Sequence, residues 1–263
     1  MGLFRVGAQE AREMKPRRFR IREGNLHRGE AFIDDRGEMR HLRRVLRLKV
    51  GEEVVLFDGE GKEYSAAISQ MTSDKISFKL LSARSLPSAE SPLKIILGVA
   101  LLKAAKFDWL TQKTAELGVS EIVPIASEHA VPLLAGEKIR SRQLRWEKIV
   151  SESAKQCGRA KVPRIHAPCS FEGALDKPFE KALRIFLWEK EASGTLEKAC
   201  EGRPSSVYVL VGPEGGFSEQ EALRAQQAGF LPIRLGPRVL RAETAGVAIV
   251  SLLQFLLGDL KGE

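Results

Sequence analysis

One plan of chain organisation occurs twice near the carboxyl terminus, and it constrains the fold more than any other feature of the 263 residues. From Ser205 to Phe230 the pattern predicts a short apolar strand, a glycine-rich loop and a helix. From Leu231 to Gly258 the same order returns with a different loop. A capping box of Ser218 and Glu221 predicts where the first helix begins, and Gly229 predicts where it ends. Two such loops, leaving strand ends and entering helices, are typical of an α/β crevice for a nucleotide-like ligand.

Several classes of protein are disfavoured by what the sequence lacks. Neither G-x-x-x-x-G-K-[ST] nor G-x-G-x-x-G occurs, so common NTPase and dinucleotide folds lose their main support. Three cysteines without a C-x-x-C pair and four scattered histidines argue against a disulfide framework and a metal site. No apolar run reaches the length of a membrane span, and the charged amino terminus lacks a signal-peptide core. We therefore expect a cytoplasmic protein that binds neither metal nor membrane.

The positive charge is concentrated at the amino-terminal end. Residues 1–50 hold 14 Lys and Arg against 7 Asp and Glu, so nearly all of the net charge of +8 lies there. Twelve of these cations are arginines, whose planar guanidinium suits phosphate. The distribution favours a nucleic-acid partner, although a solvated surface that keeps a small sheet soluble explains the same charge.

The first part of the chain predicts a small β domain over residues 1–84. Residues 1–15 show no periodicity and are expected to be a loose extension. Short alternating strands with turns between residues 17 and 83 predict a compact antiparallel barrel. Within it, Glu38–Val54 predicts a short arginine-bearing amphipathic helix that could dock against an RNA backbone. The apolar side of this helix is predicted to consist of Leu42, Val45, Leu46 and Leu48.

A linker rich in proline and serine at residues 85–92 separates this domain from a second one at residues 93–263. The second domain opens with a strand at Leu93–Leu101, a helix that ends at Gly118 and another strand. This spacing predicts a β–α–β unit and a parallel sheet. A long polar helix follows over Glu137–Gly158. Its inner face is predicted to consist of Leu144, Ile149, Ser153 and Cys157.

The loops GPEGGFS at Gly212–Ser218 and LGPRVLRAETA at Leu235–Ala245 together resemble the signature of SPOUT RNA methyltransferases, and the RsmE family is the closest match. The resemblance extends over roughly residues 16–258. It implies a PUA-like β-barrel that recruits RNA, followed by a SPOUT-type α/β domain with a C-terminal trefoil knot. It also implies methylation of N3 of a uridine in 16S ribosomal RNA of the small (30S) subunit, with S-adenosyl-L-methionine as cofactor.

The resemblance places the cofactor at the two loops and at the end of a third strand, Ala182–Lys190. Leu187 and Glu189 match the family pattern there, whereas Trp188 stands where many relatives carry histidine. The implied cofactor-binding residues are Leu187, Glu189, Gly212, Pro213, Glu214, Gly215, Gly216, Leu235, Gly236, Val239, Leu240, Arg241, Thr244 and Ala245. A sulfonium methyl donor needs no metal.

Methyl transfer to uracil N3 requires a group that removes its proton, or cations that stabilise the resulting anion. Arg241 is the candidate for the cationic role. Glu243 and Glu214 are candidates for the base, or for orienting Arg241 and the ligand. Glu243 also lies in the first turn of the final helix, where a carboxylate is favoured without any catalysis.

RNA contacts are expected from the basic amino-terminal segment and from the end of the long helix. The residues concerned are Arg17, Arg18, Arg20, Arg43, Arg44, Arg47, Gln156 and Arg159. A solvent-facing helix end explains Gln156 and Arg159 nearly as well. Lys103, Lys106, Lys113 and Glu116 resemble family positions, but each is equally well explained as a surface charge.

The final helix, Thr244–Leu257, is apolar on nearly every side, which predicts burial by a second subunit. The family resemblance likewise implies a homodimer. Two alternatives remain at this point. One is a non-catalytic RNA-binding factor for ribosome assembly. The other is a SPOUT enzyme of different specificity, which modifies a ribose 2′-oxygen or a guanine nitrogen in transfer RNA.

Overall fold

The computed structural model describes residues 17–84, 89–131, 137–179, 181–190 and 194–261. The expected loose extension at residues 1–15 and the first half of the predicted linker lie outside these residues. Contacts divide the chain into two units. The first contains residues 17–57 and 63–84, and the second contains residues 58–62 together with the chain from residue 89 onward.

The first unit is built on one six-stranded sheet. Its strands are β1 (Arg18–Arg20), β2 (Leu26–His27), β3 (Glu30–Ile33), β4 (Glu53–Phe57), β5 (Glu63–Met71) and β6 (Ile76–Arg84), in the order β1-β4-β5-β6-β3-β2. The core lies on one face, where Phe19, Leu56 and Phe78 are fully buried. The expectation of an antiparallel sheet is correct for every pair except one, because β1 runs parallel to β4.

The predicted arginine-bearing helix is shorter and less regular than its pattern indicates. Helix α1 (Arg36–Arg40) begins at Asp35, whose carboxylate accepts the Glu38 amide at 2.9 Å, and it continues into a π-helical turn at His41–Val45. The extra residue of the π turn shifts the apolar face. Leu42 is therefore buried as expected, whereas Val45 is 66% exposed, and its assignment to the apolar side is wrong.

The second unit holds a seven-stranded sheet in which every pair is parallel. Its strands are β7 (Lys94–Ala100), β8 (Glu121–Ala126), β9 (Arg164–Ile165), β10 (Cys169–Ser170), β11 (Leu183–Leu187), β12 (Ser206–Val211) and β13 (Leu231–Ile233). Their order is β10-β8-β7-β12-β11-β13, with β9 paired to β8. Its helices are α2 (Ala104–Glu116), α3 (Glu137–Cys157), α4 (Phe171–Leu175), α5 (Leu196–Ala199), α6 (Glu219–Gln227) and α7 (Ala242–Leu257).

Helices cover both faces of this sheet because successive strand residues point to opposite sides. Leu97 and Val99 of β7 join the core under α2, α3 and α7, whereas Ile96 faces the core under α4 and α6. The predicted β–α–β unit is confirmed by β7, α2 and β8. In α3 the inner face is formed by Trp146, Val150, Ser153 and Ala154. Leu144 is 59% exposed, so only part of the predicted face is correct.

Helix α7 packs closely on α2. A Cβ at Gly246 would lie 2.4 Å from Leu110 Cδ1, so this glycine permits the close approach of the two helices. The opposite side of α7 exposes Leu252 and Phe255. Within the described ranges no helix is long and apolar enough to cross a membrane, and no cluster of three potential metal ligands occurs.

Candidate active site

A groove lies at the carboxyl edge of the second sheet, where β11 and β13 end side by side. The two strands are parallel and pair Leu187 with Ile233, so the residues that follow them meet at one edge. The groove has an empty volume of about 460 Å³, including open solvent. It is lined by Leu187, Trp188, Glu189, Ile233, Arg234, Leu235, Arg238, Val239, Leu240 and Ala245. Six of the fourteen residues expected to bind the cofactor thus come together here.

The loop Gly212–Ser218 leaves the neighbouring strand β12 and meets this groove at Glu189. Gly216 adopts a φ of 73°, and a Cβ at this position would lie 3.1 Å from Glu189 Oε1. Glycine therefore serves two purposes at position 216, since it permits the left-handed backbone and leaves space for the carboxylate. The segments that follow β11, β12 and β13 therefore meet at one crevice.

Hydrogen bonds also hold the loop Gly212–Ser218 at Gly216 and at its carboxyl-terminal end. Ser218 and Glu221 form the predicted capping box of α6, and the second oxygen of Glu221 accepts the Glu128 amide at 2.9 Å. His129 Nδ1 lies 3.2 Å from the Gly216 carbonyl oxygen. Sequence reasoning missed Glu128 and His129, because 87 or more residues separate them from their partners and no local pattern connects the two segments.

A lysine and two glutamates connect three elements beside the groove. Lys106 Nζ in the first turn of α2 lies 2.8 Å from Glu214 Oε1 and 3.6 Å from Glu243 Oε1. The hydrogen bond to Glu214 raises the pKa of Lys106, and the same bond holds the pKa of Glu214 below its usual value. Proton acceptance by Glu214 is therefore disfavoured. Glu243 Oε2 is buried and has no hydrogen-bonding partner within the described part of the chain.

Arg241 precedes α7 and is exposed. Its backbone is extended, and none of the described residues forms a hydrogen bond or ion pair with its side chain. Thr244 is also exposed, whereas Pro213 is buried. Val239 is 81% exposed, which is unusual for an apolar side chain on a groove wall. These exposed groups leave the second loop free to contact a ligand.

In the first unit, four arginines line a hollow beside α1. Arg36, Arg40, Arg43 and Arg44 surround it together with Asp34 and Asp74, and its empty volume is about 1040 Å³, including open solvent. Arg43 donates to the Thr72 carbonyl oxygen, while Arg44 is exposed. Arg40 belongs to the predicted arginine-bearing helix but was not named as an RNA contact, and Arg36 lies just before that segment. Only the turn from α1 into the π helix brings all four side chains to one place.

The other predicted RNA contacts differ in their accessibility. Arg20 and Arg47 are exposed, and Arg17 is partly buried. Arg18 forms an ion pair with Glu63 at 2.5 Å, and its guanidinium lies 5.1 Å from the centroid of the Phe57 ring. Arg18 thus supports the sheet of its own unit.

At the end of α3, Gln156 and Arg159 differ in their exposure to solvent. Gln156 is exposed, as an RNA contact requires. Arg159 is only 4% exposed, and it donates to the carbonyl oxygens of Ala115 and Val119 and to the Glu90 carboxylate. The interpretation of Arg159 as an RNA contact is therefore wrong, because its guanidinium is fully engaged inside the second unit.

Family models match both units. Residues 89–254 match an RNA methyltransferase domain, and residues 33–81 match an RNA methyltransferase PUA domain. The chain is 33% identical over 223 residues to Ribosomal RNA small subunit methyltransferase E from Buchnera aphidicola subsp. Schizaphis graminum, covering 84% of this chain and 88% of that protein. It is 28% identical to the protein of the same name from Bacillus subtilis, with 86% and 90% covered.

Solved structures give the same relationship. The structure of Ribosomal RNA small subunit methyltransferase E from Neisseria gonorrhoeae, bound to S-adenosyl methionine, matches with a TM-score of 0.83 and 34% identity. The match covers 93% of this chain and 98% of that one. A putative methyltransferase from Legionella pneumophila, in complex with the same cofactor, matches with a TM-score of 0.82 and 32% identity over 91% and 98% of the two chains.

Proposed function

This chain belongs to the RsmE family of ribosomal RNA methyltransferases, and from that premise we propose that it methylates N3 of a uridine in 16S ribosomal RNA. It is an enzyme that uses S-adenosylmethionine to methylate ribosomal RNA. The observation that carries the proposal is the groove between the ends of β11 and β13, which meets the Gly212–Ser218 loop at Glu189.

The residues of the groove fit this cofactor. Leu187, Leu235 and Leu240 provide apolar walls for an adenine ring, and the exposed backbone of the second loop can bind its polar edge. Glu189 supplies a carboxylate beside Gly216, where hydroxyl or ammonium groups of the ligand would be bound.

The sulfonium of the bound cofactor supplies a methyl group whose bond to sulfur breaks, with both electrons going to sulfur, as the nitrogen attacks the carbon. The chain must manage the proton and the charge of the uracil. Glu243 is proposed to accept the N3 proton at Oε2, the buried oxygen that the described protein leaves without a donor. Arg241, exposed at the start of α7, is proposed to stabilise negative charge on the uracil oxygens.

We propose that the first unit, over residues 1–84, recruits the RNA, that residues 85–92 connect it to the catalytic domain, and that residues 93–263 carry out transfer. The arginine hollow at Arg36, Arg40, Arg43 and Arg44 supports this division, because clustered guanidinium groups bind phosphate. Arg17, Arg20, Arg47 and Gln156 remain proposed RNA contacts. The 30S particle in the cytoplasm is the proposed setting.

Two further features are proposed for the catalytic domain. A homodimer is supported by the exposed Leu252 and Phe255 of α7, since a second subunit would remove these side chains from water. A trefoil knot of the carboxyl-terminal loops is supported by the pairing of β13 with β11 and by the return of α7 to pack beside β7 and β12.

A direct test uses the full chain, a labelled cofactor and 30S particles from cells that lack the activity. We expect one labelled nucleoside, identified by mass spectrometry as N3-methyluridine from 16S RNA. Particles from cells that already carry the modification serve as the control and should accept no label. Label on a ribose oxygen or on guanine would refute the uridine N3 assignment. Without any label, the non-catalytic alternative would be favoured.

A further inference from the structure

Lys106 places one positive charge between two carboxylates that belong to different loops. Glu214 follows β12 in the glycine loop, and Glu243 lies in the first turn of α7. These two residues are 108 and 137 positions away from the lysine in sequence, so only the tertiary fold brings the group together. Glu214 lies two residues before Gly216, which approaches Glu189 in the groove, and Glu243 lies two residues before Ala245, which lines it.

The two carboxylates are not equivalent. Glu214 accepts a hydrogen bond from Lys106 Nζ at 2.8 Å, and its side chain is 35% exposed. Glu243 lies farther away at 3.6 Å, outside hydrogen-bonding distance, and its side chain is only 14% exposed. Its Oε2 atom is buried and has no partner in the described residues. Glu214 is therefore paired and partly solvated, whereas Glu243 has an oxygen that accepts no hydrogen bond from the described residues.

Two further charged groups act on this cluster. Lys103 immediately precedes α2 and acts on Glu214, while Arg241 precedes α7 and acts on Lys106. The two lysines, the arginine and the two glutamates leave one excess positive charge. The excess positive charge is available to stabilise an anionic uracil base.

We propose that Lys106 is a positioning residue for methyl transfer, which binds Glu214 and aligns Glu243 so that only Glu243 Oε2 receives the uracil N3 proton. This inference rests on the proposed function. The bond between N3 and hydrogen breaks, the proton moves to Oε2, and the freed electron pair of N3 forms the new bond to carbon. The bond pair of the donor leaves with sulfur. Water removes the proton from Glu243 after the product has dissociated.

The test compares two lysines of the same helix. Lys106→Met removes the cation at the site, and Lys113→Met removes a cation of similar exposure that pairs with Glu116 at 2.9 Å. We expect Lys106→Met to lower kcat by about 10- to 100-fold and to shift the acid limb of its pH profile upward, because a carboxylate without its cation is protonated more readily. Lys113→Met should match the wild type in both respects. Lys106→Arg should restore the wild-type acid limb.

A second measurement does not depend on turnover. Carboxyl carbons of glutamate are followed by NMR against pH in the cofactor-free protein, and Lys106→Met should raise the pKa of Glu214 relative to the wild type and to Lys113→Met. If Lys106→Met does not fold, Lys106→Gln replaces it, with the same expectations.

The outcomes separate the two proposals. A wild-type protein that never methylates 30S particles refutes the proposed function. An active wild type, together with an unchanged kcat and acid limb in the folded Lys106→Met variant, refutes only the role of Lys106. Equal losses in Lys106→Met and Lys106→Arg would also refute it, since the charge would then be irrelevant.

Discussion

The two carboxyl-terminal loops share one plan but are held in different ways. The loop Gly212–Ser218 is held in place by a side chain, because the Glu221 carboxylate accepts hydrogen bonds from the backbone amides of both Ser218 and Glu128. Within the described residues, the loop that follows β13 has one side-chain hydrogen bond to the backbone, from Arg234 to the Pro237 carbonyl oxygen, and α7 begins without a side-chain cap. We infer from this difference that the first loop is a rigid support, and we propose that the second loop adapts to ligands and carries the chemistry.

The largest expected effect comes from the second loop. Arg241→Ala should lower kcat by about 10²- to 10³-fold, as is typical when a group that stabilises transition-state charge is lost. Because Arg241 is exposed and has no partner among the described residues, the unfolding midpoint should not change. Steady-state kinetics and calorimetric cofactor titration measure the two effects. The control is Arg224→Ala on α6, which breaks a surface ion pair with Glu172 of α4. An equal loss in kcat and in cofactor affinity would show that Arg241 binds the cofactor instead.

A substitution that releases the first loop should instead lower the stability of the protein. Glu221→Ala removes a buried carboxylate that accepts two backbone amides, and it should lower the free energy of unfolding by about 2 kcal/mol. Chemical denaturation measures this loss. Glu219→Ala, at an exposed position in the same turn, should leave the denaturation midpoint where it is. Unaltered stability in Glu221→Ala would remove the distinction between a rigid loop and an adaptable one.

The smallest expected effect is the difference in cofactor affinity between alanine variants of two glycines, one in each loop. Gly216 and Gly236 share a φ of 73°, so alanine at either position incurs the strain of a left-handed backbone, about 1–2 kcal/mol. Only at Gly216 does the added Cβ meet another residue, Glu189 Oε1, whereas no atom lies within 4 Å at Gly236. Gly216→Ala should therefore weaken cofactor binding more than Gly236→Ala, as measured by titration. Equal affinities would show that Glu189 does not contribute at this position.

Local patterns were sufficient to predict the parts of the chain whose structure is determined by near neighbours. The start of α6 at Ser218, its end at Gly229 and the unit β7–α2–β8 follow from capping chemistry and periodicity. Arg159 was misassigned because a basic residue at a helix end is usually solvated. The sequence does not reveal that Arg159 donates to the carbonyl oxygens of Ala115, in the last turn of α2, and Val119, just after this helix.

The site itself could be predicted only in part. The glycine loops were recognisable, since their residue types are required by backbone geometry. Lys106 was not distinguished from an ordinary surface lysine, because its partners lie in loops more than 100 residues away. Val45 and Leu144 were misplaced for a simpler reason. A shift of one position in a helical pattern moves a side chain from the core to solvent.

Hydrogen exchange of both loops, with and without S-adenosylmethionine, tests most directly whether they jointly enclose the cofactor. We expect amides in residues 234–240 to become strongly protected when the cofactor is added. Amides in residues 212–218 should exchange slowly already and gain little. Exchange at residues 234–240 that does not respond to saturating cofactor, or protection confined to another part of the chain, would contradict the account.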